Sequence, residues 1–298
     1  MKRQRLLELP SDMEKLLKGG PVAAGITADT KQRAEQLQKK GIMPTLAVLR
    51  VGERPDDISY ERGIEKRCIE AGITVRKVHL NAKVAEETFF AELKSLNSDP
   101  TVHGILLLRP LPKHLDEERA RLSISPEKDV DGCTDLSLAG VFTNSPVGFT
   151  PCTAEAVTEI LFFYGINPAG KRIVVLGRSL VVGRPAAMLL LHKNATVTLC
   201  HTKTVAADTL AQEADILVAA TGKTDSIGTS YIKPGQIVID AGIGWSEQKQ
   251  KLCGDVIFEE ADPLAAAITP VPGGVGTVTT SILARHTIIA AERQTKQL

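Results

Sequence analysis

Short apolar segments alternate with longer amphipathic ones along most of the chain. After an N-terminal helical stretch that ends near Lys40-Gly41, the first half predicts strands and helices in turn. The predicted strands are 45–51, 74–80 and 102–108, and the predicted helices are 59–71 and 84–96. This alternation is typical of β-α-β units on a mostly parallel sheet.

The second half begins after a Pro-rich, polar passage from Arg109 to Pro126, and it repeats the alternation. A helical pattern starts near Thr150–Thr153, and a last helix over 279–293 is expected to return to the first domain and pack on it. The pattern predicts two α/β domains with a cleft between them: an N-terminal α/β/α domain of residues 1–149 plus 279–298, and a Rossmann-like domain with a parallel sheet at 150–278. The elements predicted inside the second domain are strands at 172–176, 196–200, 215–220 and 236–241 and a helix from Pro185 to Lys193.

Composition narrows the class of protein but not its chemistry. The 298 residues are 43% hydrophobic and 24% charged, with a formal net charge of +1, which favours neither nucleic acid nor a membrane surface as a partner. The five cysteines are widely spaced, so neither a disulfide scaffold nor a metal site is predicted. No signal peptide or membrane span is predicted, and we expect a cytoplasmic protein.

A glycine turn predicts a nucleotide site in the second domain. The segment Gly177-Arg-Ser-Leu-Val-Val-Gly183-Arg-Pro185 follows a predicted strand and opens a helix, although the turn alone is equally compatible with a purely structural role. At the end of the next strand, where an NAD site carries a carboxylate for the ribose, the chain reads His201-Thr-Lys-Thr204. These residues and Arg178 favour NADP over NAD, because they suit a 2′-phosphate. The alternative, that His201 and Lys203 are solvated loop charges, stays open.

Several segments, in order and spacing, carry a resemblance to one family. They are Val51-Gly52 with Pro55 and Tyr60, Gly104-Ile-Leu with Pro110-Leu-Pro112, Lys128-Asp-Val-Asp-Gly132, the turn from Gly177 to Pro185, and Pro270-Val-Pro-Gly-Gly-Val-Gly276. Over nearly its whole length the chain resembles the methylenetetrahydrofolate dehydrogenase/cyclohydrolase (FolD-type) enzymes. The resemblance implies oxidation of 5,10-methylenetetrahydrofolate in one-carbon metabolism, a folate-binding first domain, an NADP-binding second domain and a homodimer.

The resemblance also assigns roles to individual residues. Asp131 would accept hydrogen bonds from the pterin ring, and the ring of Tyr60 would pack on the folate. Ile243 would lie beside the nicotinamide. The residues assigned to the substrate are also Pro272, Gly273 and Gly274. Those assigned to the cofactor are Gly177, Arg178, Ser179 and Thr202. His201 is added to the cofactor site because of its position directly after the predicted strand.

Two positions depart from the family pattern in a way that bears on activity. Ile64 stands where the family has the lysine that handles protons for the cyclohydrolase, and Leu108 stands where it has the glutamine that orients this lysine. Lys66 lies about 200° further round a helix and cannot project into the same site. Losing both polar groups together leaves neither partner unsatisfied.

These departures separate the two reactions of the family. Hydride transfer depends mainly on proximity, whereas hydrolysis of the methenyl group requires general acid–base catalysis. We therefore expect an NADP-dependent dehydrogenase whose cyclohydrolase activity is absent or weak. Two alternatives remain: a fully bifunctional enzyme that uses another residue such as Arg109 or Glu65, and a non-catalytic homologue that binds folate or nucleotide.

Overall fold

A computed structural model describes residues 14–295, which divide into two compact units. The first unit contains Ala23–Cys152 and the chain from Thr279 onward, and the second contains Thr153–Val278 and the described residues up to Val22. We expected the N-terminal segment in the first unit. Residues 14–22 belong to the second because Leu17 N donates to Ile268 O at 2.9 Å and Ile268 N donates to Lys15 O at 2.8 Å; residues 1–13 of the expected domain lie outside the described part.

The first unit is built on a three-stranded parallel sheet. Its strands are β1 (Thr45–Val51), β2 (Thr74–Leu80) and β3 (Gly104–Leu107), in the order β2-β1-β3. The helices are α1 (Gly19–Gln38), which begins in the other unit, α2 (Pro55–Glu70), α3 (Glu86–Ser98), α4 (Glu117–Leu122) and α5 (Asp135–Thr143). One core cluster joins apolar residues of β1 and β3 to Phe89, Leu93 and Leu96 on α3. The carboxyl ends of the three strands meet at one edge of the sheet, where loops can carry functional side chains.

The last helix, α10 (Val275–Thr295), packs on this unit as predicted. Arg33 on α1 forms a two-point salt bridge with Glu292, with nitrogen–oxygen distances of 3.0 and 2.7 Å. The amide of Gln294 donates to His103 O at 2.9 Å.

The second unit contains a five-stranded parallel sheet, as expected of a Rossmann-like domain. Its strands are β4 (Arg172–Leu176), β5 (Thr196–Cys200), β6 (Ile216–Ala219), β7 (Ile237–Asp240) and β10 (Ala267–Ile268), in the order β10-β7-β6-β4-β5. The other elements are α6 (Cys152–Phe163), α7 (Gly183–His192), α8 (Ala207–Glu213), α9 (Phe258–Ala261) and an antiparallel hairpin of β8 (Gly244–Ser246) and β9 (Lys251–Cys253). The two-domain α/β class is confirmed.

Within residues 14–295, no helix has both the length and the apolar character needed to cross a membrane. In the same residues, no three His, Cys, Asp or Glu side chains lie together as metal ligands.

Candidate active site

Helix α2 presents Tyr60 to the surface and Ile64 to the interior. Its buried face consists of Asp57, Glu61, Ile64 and Cys68, which recur at helical spacing. Ile64 has no exposed surface, whereas Tyr60 keeps 38% of its surface exposed. Desolvation by the surrounding protein and the negative charge of Asp131 raise the pKa of the Tyr60 phenol above its usual value. Tyr60 is therefore a neutral, accessible ring whose electrostatic environment is shared with Asp131.

The turn at 128–134 contains Asp129, which has a structural role, and Asp131, which is available to a ligand. Asp129 is fully buried and accepts hydrogen bonds from Cys133 N at 2.9 Å, Thr134 N at 2.8 Å and Ser137 Oγ at 2.6 Å. Asp129 thus stabilises the turn and the start of α5. Asp131 has no part in that network, so its carboxylate is available to accept hydrogen bonds from a ligand.

The environment of Asp131 favours its protonated form more than water does. Burial raises its pKa to about 6, while the positive charge of Arg109 and a hydrogen bond from the Cys152 thiol act in the opposite direction. Arg109 follows β3 by two residues and is half-buried. Because no salt bridge or hydrogen bond joins its guanidinium to another of residues 14–295, its charge acts on Asp131 through space.

Ile64 and Leu108, the two residues that depart from the family pattern, are both buried apolar side chains. Leu108 has 5% of its surface exposed, and its backbone N–H donates to Leu49 O at 3.0 Å, which fixes it beside β1. Lys66 is exposed, as the sequence predicted. Glu65, one of the alternative proton carriers, forms a salt bridge between its Oε2 and Lys77 Nζ at 2.6 Å.

Sequence analysis missed a buried ion pair next to Tyr60. Arg50 Nε contacts Glu61 Oε2 at 3.0 Å, and both side chains are less than a tenth exposed. His79 Nε2 lies 3.0 Å from both oxygens of Glu61. The Arg50 guanidinium also donates to the carbonyl of Gly52, so this pair ties α2 to the turn that follows β1. Arg50 interrupts an apolar strand in the sequence, and that was the available signal.

In the second unit, the glycine turn between β4 and α7 packs tightly against main-chain atoms. Gly177 has a φ of 118°, and a Cβ there would overlap the carbonyl of Ala220; a Cβ on Gly183 would overlap the carbonyl of Gly177. The hydroxyl of Ser179 accepts from Val182 N at 3.1 Å and from Gly183 N at 3.4 Å. Glycine is therefore required at both ends of the turn for backbone to approach backbone.

A cavity of about 480 Å³ opens beside this turn. It brings together Gly177, Arg178, Ser179, His201 and Thr202, which the sequence singled out. The other lining residues, which the sequence analysis did not identify, are Leu176, Cys200, Ala207, Ala220, Thr221, Lys223, Ser226, Ile227 and Tyr231. Thr221 and Lys223 follow the end of β6 by two and four residues, so the rule that ligands bind beyond the carboxyl ends of parallel strands could have found them.

The cavity fits a phosphorylated nucleotide. Among residues 14–295, those that line it include Arg178, Lys223 and His201 and no carboxylate, so phosphate groups would meet cationic, imidazole and hydroxyl side chains. The main chain around His201 is fixed, because its N–H donates to Thr204 Oγ1 at 2.9 Å and its Nδ1 accepts from Lys203 N at 3.1 Å.

Two further predicted segments lie outside that cavity. Ile243 is 60% exposed and does not line it. In the glycine-rich loop, Pro272 and Gly273 are exposed, while Gly274 is buried and a Cβ there would overlap the carbonyl of Pro270. Gly273 O accepts from Gly19 N at 2.8 Å, so this loop is held at a defined position by backbone contacts.

Comparison with known proteins gives the same result for both halves of the chain. Residues 17–131 match the model for the catalytic domain of tetrahydrofolate dehydrogenase/cyclohydrolase, and residues 151–295 match the model for its NAD(P)-binding domain. The bifunctional protein FolD of Carboxydothermus hydrogenoformans is 48% identical over 281 residues, which cover 94% of this chain and 98% of that protein.

Solved structures agree with this. The crystal structure of the bifunctional enzyme FolD from Campylobacter jejuni superposes with a TM-score of 0.90 at 38% identity, covering 93% of this chain and 98% of that one. The enzyme from Trypanosoma brucei, solved with NADP and an inhibitor, gives a TM-score of 0.88 at 35% identity over 94% of this chain and 98% of that one.

Proposed function

Because this chain belongs to the tetrahydrofolate dehydrogenase/cyclohydrolase family, we propose that it oxidises 5,10-methylenetetrahydrofolate with NADP⁺ and hydrolyses the methenyl product slowly or not at all. The family resemblance stated from the sequence is confirmed, and so is an enzyme with an NAD(P)-binding domain. The finer statement, that hydrolysis is lost, is supported by one observation: Ile64 and Leu108 are buried hydrocarbons at the two positions where the family places its proton-handling lysine and that lysine's partner.

The residues of the first unit can bind and orient the folate. The Asp131 carboxylate would accept hydrogen bonds from the amino and N–H edge of the pterin, and the accessible Tyr60 ring would pack on the folate. Neither role moves a proton at the bridging nitrogens. Ile64 and Leu108 would exclude water from their surroundings, which protects a methenyl cation from hydrolysis.

The residues of the second unit can bind the oxidant. NADP⁺, when bound, supplies the hydride acceptor. Backbone N–H groups of the turn from Gly177 and the Arg178 side chain would hold phosphate groups, and His201 with Thr202 would contact a 2′-phosphate. No carboxylate lines the cavity in the part of the chain that the structure describes, and this favours NADP over NAD.

A pair of assays on one preparation tests this function. Purified protein should reduce NADP⁺ with methylenetetrahydrofolate faster than it reduces NAD⁺, and methenyltetrahydrofolate should accumulate. Addition of preformed methenyltetrahydrofolate should show a decay no faster than in buffer. Rapid enzymatic decay would support the bifunctional alternative, and NADP⁺ binding without turnover of any reduced folate would support the non-catalytic one.

Ionisation of Asp131 should set the acidic limit of the reaction, and the charge of Arg109 should determine where that limit lies. Ionised Asp131 is the better acceptor for pterin N–H groups, so kcat/KM for the folate should fall as the pH drops below about 6. Arg109→Leu removes the charge that lowers this pKa, and the acidic limb should therefore move to higher pH.

The matched control is Arg119→Leu, which removes a guanidinium that pairs with Glu86 on the surface and should leave the profile unchanged. An identical acidic limb in Arg109→Leu and the parent would contradict the role given to Arg109. If the parent does hydrolyse methenyltetrahydrofolate, loss of hydrolysis with unchanged dehydrogenation in Arg109→Leu would show that hydrolysis depends on Arg109 rather than on Glu65.

We also propose a homodimer that forms through strand β5. This strand ends the order of the five-stranded sheet, so one edge lacks a neighbouring strand within the described residues. Leu199 on β5 and Leu191 on α7 are 36% and 49% exposed. An exposed edge strand flanked by apolar side chains pairs readily with a second copy.

Leu199→Lys should convert the dimer into a monomer, because it places a charge on each copy at the pairing edge. Light scattering coupled to gel filtration measures this, and Leu122→Lys, at an exposed leucine of the other unit, is the control. A monomeric parent protein would disprove the proposal. The cytoplasmic location and the absence of nucleic-acid and membrane partners stay predictions.

A further inference from the structure

Two buried aspartates lie behind the wall of the cofactor cavity, and none of the roles described so far uses them. Asp240 ends β7 and is 3% exposed; Asp255 follows β9 and is 1% exposed. Buried carboxylates are costly unless hydrogen bonds satisfy them. Their partners therefore show what the pair holds in place.

Asp255 supports one wall of the cavity at two places. Its side-chain oxygen Oδ2 accepts from Thr221 N at 2.5 Å and from Gly222 N at 3.0 Å. Its main-chain carbonyl accepts from Ser226 N at 2.8 Å and from Ile227 N at 2.9 Å. Both ends of segment 221–227 are thus bound to this single residue. The segment contributes Thr221, Lys223, Ser226 and Ile227 to the cavity lining.

Asp240 holds Asp255 in turn. Its Oδ1 accepts from Asp255 N at 3.1 Å and from Gly242 N at 2.9 Å, and its Oδ2 accepts from Val256 N at 2.9 Å. Both oxygens of Asp240 are occupied, and one of its bonds fixes the first turn after β7.

Glycines allow the two aspartates to approach the main chain this closely. A Cβ on Gly242 would overlap the carboxyl group of Asp255, and a Cβ on Gly254 would overlap that of Asp240. Because the packing leaves no room for even a methyl group, a displacement of either aspartate would be passed on to the main chain that it contacts.

We infer that Asp255, held by Asp240, is a positioning residue for the cofactor: it fixes segment 221–227 so that Thr221 and Lys223 face the bound dinucleotide. This inference rests on the proposed function for the identity of the ligand. It predicts that damage to the pair weakens cofactor binding without affecting folate binding. The predicted folate-binding side chains of Tyr60 and Asp131 belong to the other unit. The N–H groups bound by the two carboxylates come from Thr221, Gly222, Gly242, Asp255 and Val256, not from the predicted substrate loop at 272–274.

Three variants separate this role from general loss of structure. Asp255→Ala removes the acceptor of two N–H groups and should raise the Kd for NADP⁺ about 10- to 100-fold. Asp255→Asn can keep an amide oxygen at the Oδ2 position, so its Kd should stay within about threefold of the parent. Asp240→Asn must place an NH₂ group against at least one N–H donor, because both oxygens are used, and should raise the Kd about 3- to 10-fold.

The matched control is Asp225→Asn. Asp225 belongs to the same segment but does not line the cofactor cavity. Its carboxylate pairs with Lys249 Nζ at 2.8 Å. NADP⁺ and tetrahydrofolate binding are measured by calorimetry at pH 8, above the value of about 7 to which burial raises the pKa of Asp240. Circular dichroism and Tm report folding.

A selective loss of NADP⁺ affinity in Asp255→Ala that Asp255→Asn restores would support the inference. Equal affinity in all variants, or an equal loss in Asp225→Asn, would overturn it. If Asp255→Ala does not fold, Asp240→Asn decides: NADP⁺ affinity must fall while tetrahydrofolate affinity does not. A parent protein that binds no NADP⁺ would instead contradict the proposed function, and this outcome is visible before any variant is made.

Discussion

The double variant Ile64→Lys/Leu108→Gln is expected to hydrolyse methenyltetrahydrofolate about 10²- to 10⁴-fold faster than the parent protein, which is the usual contribution of a positioned acid–base group. The lysine would supply the proton-handling amine, and the glutamine would supply the polar partner that orients it. The decay of methenyl absorbance in the absence of NADP⁺ measures the effect. Dehydrogenation should continue, since Asp131 and the cofactor cavity are unchanged.

Single variants distinguish this chemistry from repacking. Leu108→Gln adds an amide without an amine and should not hydrolyse the methenyl group. Ile64→Lys alone places an amine at a fully buried position, so we expect a destabilisation of several kcal/mol, partly recovered in the double variant. Ile64→Met, which keeps the position apolar, should match the parent in activity and lose less than about 1.5 kcal/mol of stability. A parent that already hydrolyses as fast as the double variant would refute the role given to Ile64 and Leu108.

The elements that the sequence predicted correctly have strong apolar periodicity or uninterrupted apolar character. Strands β1, β2, β4 and β5 have the predicted bounds. Strands β1 and β4 are almost entirely buried, as the apolar strands of a parallel sheet are. Strands β2 and β5 are largely exposed, and they are rich in the β-branched residues typical of strands. Helix α2 begins at Pro55 rather than at Ser59. Its first turn carries Asp56 and Asp57, which suit a helix N-terminus but interrupt the amphipathic pattern.

The elements that the sequence analysis missed are short and depend on tertiary contacts. Helix α4 lies within the Pro-rich passage and is capped by Asp116, whose side chain accepts from Arg119 N at 2.9 Å. The hairpin β8–β9 and strand β10 have three residues or fewer per strand. Segments of this length cannot bury enough apolar surface to be stable alone, so their own sequence carries little signal.

The candidate site was predicted better where a motif was local than where distant segments meet. Residues 177–179 at the start of the glycine turn and His201 and Thr202 after β5 line one cavity. The family resemblance assigned the ligand role to Asp131, but the structural role of Asp129 was not predictable, because it depends on which carboxylate faces the N-terminus of α5. The influence of Arg109 on Asp131 and the support of segment 221–227 by Asp255 depend equally on contacts between residues far apart in the chain.

Gly183→Ala is expected to abolish detectable NADP⁺ binding while leaving tetrahydrofolate binding intact. The added Cβ would overlap the carbonyl oxygen of Gly177, which is main chain and cannot rotate away as a side-chain end could. Relief requires the turn to open, and this displaces Arg178 and Ser179 from the cavity. We expect the Kd for NADP⁺ to rise at least about 100-fold, with a destabilisation of about 1–3 kcal/mol from overpacking.

Gly20→Ala is the matched control for this variant, since Gly20 belongs to the same unit, lies in α1 and has no atom within 4 Å of an added Cβ. An alanine in a helix costs less backbone entropy than a glycine, so Gly20→Ala should raise Tm slightly and leave NADP⁺ binding unchanged. Calorimetric titration with NADP⁺ and thermal unfolding of both variants provide the comparison. Normal NADP⁺ affinity in Gly183→Ala would mean that the turn between β4 and α7 does not hold the cofactor, and the assignment of the cavity would then fail even if the enzyme proved active.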